Sequence, residues 1–127
     1  MNFPDDLKYT DHDEWVRVEG DLLTLGISDY AQDQLGELVH IELPEVGAQL
    51  SAGDVACEVE SVKAVAEVYA PVDGEVVEVN EALDGAEDTV NEDPYGSGWL
   101  LRMKITDPGK LSTLLDAGSY RQRVASA

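Results

Sequence analysis

Residues 55–79 read VACEVESVKAVAEVYAPVDGEVVEV. Apolar residues recur at nearly every second position, the period of a strand buried on one face. With a reversal centred between Val62 and Lys63, Val59 falls opposite Ala66, Cys57 opposite Val68 and Val55 opposite Ala70. A second reversal at Asp73-Gly74 sets Ala70 against Val77 and Val68 against Val79. Both registers turn Ala66, Val68 and Ala70 to the same side, so the stretch is expected to be a three-stranded meander. The two reversals differ in chemistry. Asp-Gly suits a two-residue hairpin turn, in which both positions take positive φ. Val62-Lys63 does not, because a β-branched residue is strained there, and a wider turn is expected. Local rules that fail tend to fail at functional sites.

Lys63 is the only Lys or Arg between Val18 and Leu101, where His40 is the sole other basic residue among Asp and Glu. An exposed lysine is ordinarily a solvated charge, but this one stands alone at a tip. Two chemical uses compete. Schiff-base chemistry needs desolvation or a second cation beside the amine. Glu58, Glu60 and Glu67 supply the opposite and keep the ammonium charged. Covalent attachment needs only exposure on a rigid hairpin, and is the better physical fit.

The composition narrows the partners. Eight Lys and Arg against 27 Asp and Glu give a net charge of −19. That excludes nucleic acid and anionic membrane, both of which need a basic face. It leaves a solvated surface or a docking face for basic partners. Cys57 is the only cysteine, so no intrachain disulfide or cysteine-based metal cluster is possible. No apolar run is long enough to span a bilayer, and the start, MNFPDDLKYTDHDEW, has neither a secretory nor a transit pattern. The expectation is one domain over 1–127, monomeric and cytoplasmic (or a mature organelle form), with no metal.

Elsewhere the period of two continues. A turn at Gly20-Asp21 puts Val18 opposite Leu23 and Val16 opposite Leu25; Val39–Leu43 and Trp99–Ile105 read as further strands. Ser28 to Gly36 reads as a capped short helix, and Leu111 to Ala117 as a C-terminal helix that Tyr120–Val124 extends by a turn. Asp84–Asp93 reads as an acidic loop. Cys57 is expected in the core, His40 outward and solvated. Tyr30, Pro94-Tyr95-Gly96 and Trp99 are expected to be structural.

ESVKA at 60–64, followed by YAPVDGEVVEVNEAL and VNEDPYGSGWL and preceded by LGISDYAQDQLGELV and ELPEVG, resembles the glycine cleavage system H-protein family. The resemblance runs in the family's order and spacing from Lys8-Tyr9-Thr10 to Asp116-Ala117. It implies a mainly β fold of the lipoyl/biotinyl carrier type (hybrid hammerhead). That fold is a flattened β-barrel or sandwich of two sheets with short helices. The carrier core would lie at about 22–104 and the C-terminal helical segment at about 108–124. Biotin carriers flank the lysine with methionines and many lipoyl domains place Asp before it. Val62 and Ala64 stand there instead, which favours the H-protein over a lipoyl or biotinyl carrier of another multienzyme system.

The resemblance further implies a carrier and not a catalyst, with lipoate in amide linkage to Lys63. Its partners would be pyridoxal-phosphate-dependent glycine decarboxylase, tetrahydrofolate-dependent aminomethyltransferase, dihydrolipoamide dehydrogenase and a lipoylating enzyme. Glu14 matches a position the family uses near the arm, and Glu67 faces Glu58 in the register above, a like-charge pair that wants a cation. Glu14 and Glu67 are therefore the expected contacts for the aminomethyl cargo. One departure stands out: where the family reads HEW, this chain reads Asp13-Glu14-Trp15, with its histidine one place earlier at His12.

Overall fold

The computed structural model describes residues 1–126. Two antiparallel sheets face each other as an open sandwich. The larger has six strands: β1 (Lys8–Tyr9), β2 (Glu14–Glu19), β3 (Leu22–Ile27), β5 (Gln49–Leu50), β8 (Asp73–Val79) and β9 (Leu101–Asp107), in spatial order β1-β2-β3-β9-β8-β5. The smaller contains β4 (Leu38–Glu42), β6 (Val55–Ser61) and β7 (Val65–Tyr69), in order β4-β6-β7. Leu23, Leu25, Val76, Leu101 and Met103 from the large sheet meet Cys57, Val59 and Val68 from the small one in the main core. The alternation of each strand supplies this inner face, and burying it drives the two layers together.

The Gly20-Asp21 hairpin has the expected register, Val18 opposite Leu23 and Val16 opposite Leu25. The first reversal of the 55–79 stretch is also as expected at Val59–Ala66 and Cys57–Val68. A bulge then moves Val55 opposite Tyr69 instead of Ala70. The second reversal is a correction. β7 and β8 are not hydrogen-bonded to each other; they belong to opposite sheets. The chain leaves the small sheet at Ala70-Pro71-Val72, where proline has no N–H to extend the ladder. Asp73 accepts a hydrogen bond from the Ala52 N–H at 2.7 Å. Gly74 serves a close approach instead of a turn: a Cβ there would stand 2.6 Å from the Lys104 carbonyl oxygen on β9. The inward period of two is the same whether neighbouring strands pair or face each other across a core, which is why it misled.

Helix α1 (Asp29–Leu35) starts at the Ser28 cap and stops at Gly36, as the sequence predicts. Two helical readings are corrected. The 84–93 stretch contains a short helix, α2 (Thr89–Glu92), which buries Val90. The C-terminal helix α3 spans Ala117–Ala125, while Pro108–Thr113 is 3-10 in geometry. Leu115 exchanges both backbone hydrogen bonds with Tyr9, which holds it extended, and Asp116 then caps α3 through the Ser119 N–H. Under α3 lies a second, aromatic cluster of Phe3, Tyr9, Trp15 and Tyr120, with Tyr9 and Tyr120 stacked at 4.6 Å. None of the helices among the described residues is long and apolar enough to cross a membrane.

Candidate functional site

Lys63 occupies the exposed tip of the β6–β7 hairpin. The turn is tight after all: Ser61 N–H donates to the Ala64 carbonyl at 2.8 Å, so only Val62 and Lys63 lie between. Neither has positive φ; Asp13 is the only non-glycine residue that does among those described. The buried Ser61 explains how. Its hydroxyl oxygen accepts from the Lys63 N–H at 3.2 Å and the Ala64 N–H at 3.0 Å, and the hydroxyl donates to the Ala64 carbonyl at 3.2 Å. A serine side chain thus replaces the backbone geometry that Asn-Gly or Asp-Gly would supply. Lys63 forms no ion pair among the described residues. Val62, 68% exposed, and Val65, 59% exposed, flank it.

A cavity of about 480 Å³ opens farther down β7, lined by Thr10, His12, Glu14, Tyr69 and Lys110 among others. Glu14 is 1% exposed. It leaves β2 and crosses to the other sheet, where Oε2 accepts from the Tyr69 N–H at 2.6 Å. Its Oε1 accepts from the Thr10 hydroxyl at 2.8 Å. Burial pushes the carboxyl up to about 7, against these two hydrogen bonds, which pull it down; Asp11 and Asp13 add to the rise. The result is a carboxylate that forms no ion pair among the described residues, set in a wall, at the edge of its ionisation near neutrality.

The displaced histidine has a geometric explanation. Asp13 takes φ 66, which turns its side chain away from the cavity to accept from the Tyr120 hydroxyl at 2.9 Å. His12, one place earlier, lines the cavity instead, its ring 4.7 Å from that of Tyr69. Because the Tyr120 proton goes to Asp13, Ser28 donates to Tyr120 across 2.6 Å while its oxygen also caps α1 at Ala31. Burial, with Asp13 adding to it, raises the phenol well above the usual tyrosine range, so it remains a donor. The Asp13–Tyr120–Ser28 network therefore ties α3 to the loop that carries Thr10 and His12 and leads into β2 at Glu14. Tyr120→Phe is expected to cost about 1–3 kcal/mol, the usual penalty for orphaning buried partners. Urea unfolding measures it, and an unchanged midpoint removes the network from the account.

The two carboxylates named from sequence part company here. Glu67 faces Glu58 as expected, but it is exposed and stands between the tip and the cavity, outside the cavity wall. Cys57 is buried, its thiol pushed up to about 12 by burial, and His40 is exposed. Sequence reasoning did not find Ser61, Thr10 or Tyr69. Ser61 was legible as the serine directly before a turn that lacks turn residues. Thr10 and the Tyr69 N–H were not, since they meet Glu14 only across the sandwich.

Known proteins resemble this chain along most of its length. The family model described as Glycine cleavage H-protein matches residues 7–127. The glycine cleavage system H protein of Thermus thermophilus is 51% identical over 126 residues, covering 99% of this chain and 98% of that protein. That of Laribacter hongkongensis is 52% identical over 124 residues, covering 97% of this chain and 98% of that protein. The crystal structure of a glycine cleavage system H protein from Mycobacterium marinum superposes with a TM-score of 0.87 at 40% identity, covering 95% of this chain and 98% of that one.

Proposed function

The chain belongs to the glycine cleavage H-protein family, and from that premise we propose that it is the lipoylated shuttle of the glycine cleavage system, with lipoate in amide linkage to Lys63. The observation that carries the assignment is a lone, exposed lysine, without an ion pair among the described residues, on a turn whose conformation a buried serine fixes. An amine free of ion pairs is open to acylation, and a fixed tip presents it without an ordering cost at encounter. When bound, lipoate supplies a dithiolane that accepts the aminomethyl group as it is reduced and returns to the disulfide by reoxidation.

The protein's own residues hold and shelter. From Ala64 to Tyr69 is five residues along β7, roughly 16 Å at strand rise, comparable in length to a lysine extended by an eight-carbon acid. Glu14 offers a charged acceptor in the cavity wall, and an ammonium beside it both satisfies that carboxylate and is removed from bulk water. Glu67, exposed on the way, adds a second negative charge at the rim. We assign the region 1–127 to one monomeric carrier domain with no catalytic residue of its own, working in the cytoplasm. Its partners are glycine decarboxylase, the aminomethyltransferase, dihydrolipoamide dehydrogenase and a lipoylating enzyme.

Charge supports docking through the tip-bearing face. Glu42, Glu58 and Glu67 are direct neighbours across β4, β6 and β7, with Glu60 in the next row beside His40. No cation but Lys63 lies in that sheet, whereas Lys8, Lys110, Arg121 and Arg123 sit in the terminal segments. Reconstitution tests the reading. With lipoate available, the protein should become a substrate for glycine decarboxylase and turn nothing over without partners. Its apparent KM should rise several-fold between about 0.05 and 0.5 M salt as exposed charges are screened. Turnover of glycine by the purified chain restores an enzymatic reading; a flat salt profile removes steering by the acidic face.

A further inference from the structure

The Lys63 turn is supported from outside its own hairpin. The Val62 N–H donates to the Glu37 carbonyl at 3.2 Å. Glu37 lies in the short link between α1 and β4, and the β4–β6 ladder is irregular there, with a shift between Leu38 and His40. The ladder alone therefore does not fix where the Glu37 carbonyl points. One side chain does. Asn91, on α2, accepts from the Leu38 N–H at 3.0 Å and donates to the Gly36 carbonyl at 2.8 Å and to Gln32 Oε1 at 3.1 Å. A single amide thus satisfies the backbone groups on both sides of Glu37. Gly36 takes φ 79 and ψ −157, a conformation open to glycine. The Lys63 side chain lies over it, its Cε 3.5 Å from where a Cβ of Gly36 would stand.

We propose that Asn91 is a positioning residue for the modification of Lys63. It holds the Gly36–Leu38 link, the link holds Val62, and Val62 sets the conformation in which the neighbouring lysine meets the lipoylating enzyme. The inference rests on Lys63 as the attachment site. Physically, a tip that samples several conformations binds its enzyme with an affinity reduced by the competent fraction, while the bound complex reacts as before. Loss of Asn91 therefore acts on KM more than on kcat.

The test uses the whole 127-residue chain and two substitutions. Asn91→Asp is isosteric and keeps the acceptor for Leu38, but loses the donations to Gly36 and Gln32 and sets a carboxylate oxygen against both; Asn91→Ala loses all three hydrogen bonds. Hydrogen exchange at the Val62 amide, read against Val59 and Val68 in the flanking strands β6 and β7, should quicken about tenfold in Asn91→Ala, as expected for one lost hydrogen bond, and also in Asn91→Asp. The KM of the lipoylating enzyme for the two proteins, followed by intact mass, should rise in step with the exchange, roughly three- to tenfold, with kcat nearly unchanged. If Asn91→Ala does not fold, Asn91→Asp alone carries the comparison. Unchanged Val62 exchange, or faster exchange with an unchanged KM, overturns the positioning role while wild type is still modified. Wild-type protein that takes up no lipoyl group sinks the attachment site itself, and the positioning role with it.

Discussion

Lys63→Arg is expected to abolish lipoylation and, with it, all shuttle activity in the reconstituted system, while leaving the fold intact. Arginine keeps the charge, the length and the exposure of the side chain, so an electrostatic or packing role would survive the exchange. Its guanidinium is not acylated under the conditions that acylate an amine. The turn should not notice the substitution, because Ser61 binds the backbone N–H groups of Lys63 and Ala64, not the lysine side chain. Thermal midpoints of the two proteins should therefore agree within about 2 °C, the range of a neutral surface change in a domain of this size. Intact mass after expression with lipoate reads the first effect, and peptide mapping locates the group in wild type. A lipoyl group on Lys8, Lys104 or Lys110 of Lys63→Arg, or biotin on wild-type Lys63, would defeat the assignment.

Glu14→Gln should change both the pH dependence of stability and the retention of the cargo. The folded protein raises the Glu14 carboxyl from 4.5 to about 7, so it holds this proton more tightly than the unfolded chain does. Stability from that proton is fully present below pH 4.5 and is lost as pH rises through about 7. At 1.36 kcal/mol per unit the loss approaches about 3 kcal/mol. Glutamine cannot ionise, yet its carbonyl can still accept from the Tyr69 N–H. The variant should lose this part of the slope and, relative to wild type, gain stability towards pH 8. Urea titrations at several pH values measure it; parallel profiles for the two proteins would show that Glu14 does not titrate as its burial dictates.

Loading the arm inverts the preference. An ammonium in the cavity favours ionised Glu14, so wild type should retain its cargo best above about pH 7 and release it faster as the carboxylate is protonated. Glu14→Gln should lose the group faster at pH 8, by about tenfold for one charged hydrogen bond, and show little dependence on pH. Glu67→Gln, exposed at the rim, should have the smaller effect, and neither substitution should alter lipoylation. Ammonia or formaldehyde release from purified loaded protein reports the rates. Equal rates in Glu14→Gln and wild type would leave protection to burial alone.

The sequence by itself determined what depends on near neighbours. The period of two, the Gly20 turn, the Ser28 cap and the Gly36 stop are local, and each stands where the sequence puts it. So does the β6–β7 hairpin from Glu60 to Cys57, because a register fixed by one turn and one buried face has few alternatives. The isolation of Lys63 is a property of composition and needed no structure. Tertiary structure decided which strands are partners. Val68 and Val76 are both inward, but sequence alternation does not distinguish a hydrogen-bonded neighbour from a strand across the core, and Pro71 with the close approach at Gly74 settled it. Distance in sequence hid the rest. Glu14 finds the Tyr69 N–H, Tyr120 finds Asp13 and Asn91 finds Gly36 only after the layers close. These contacts satisfy buried polar groups, an obligation that exists only once folding has removed the water.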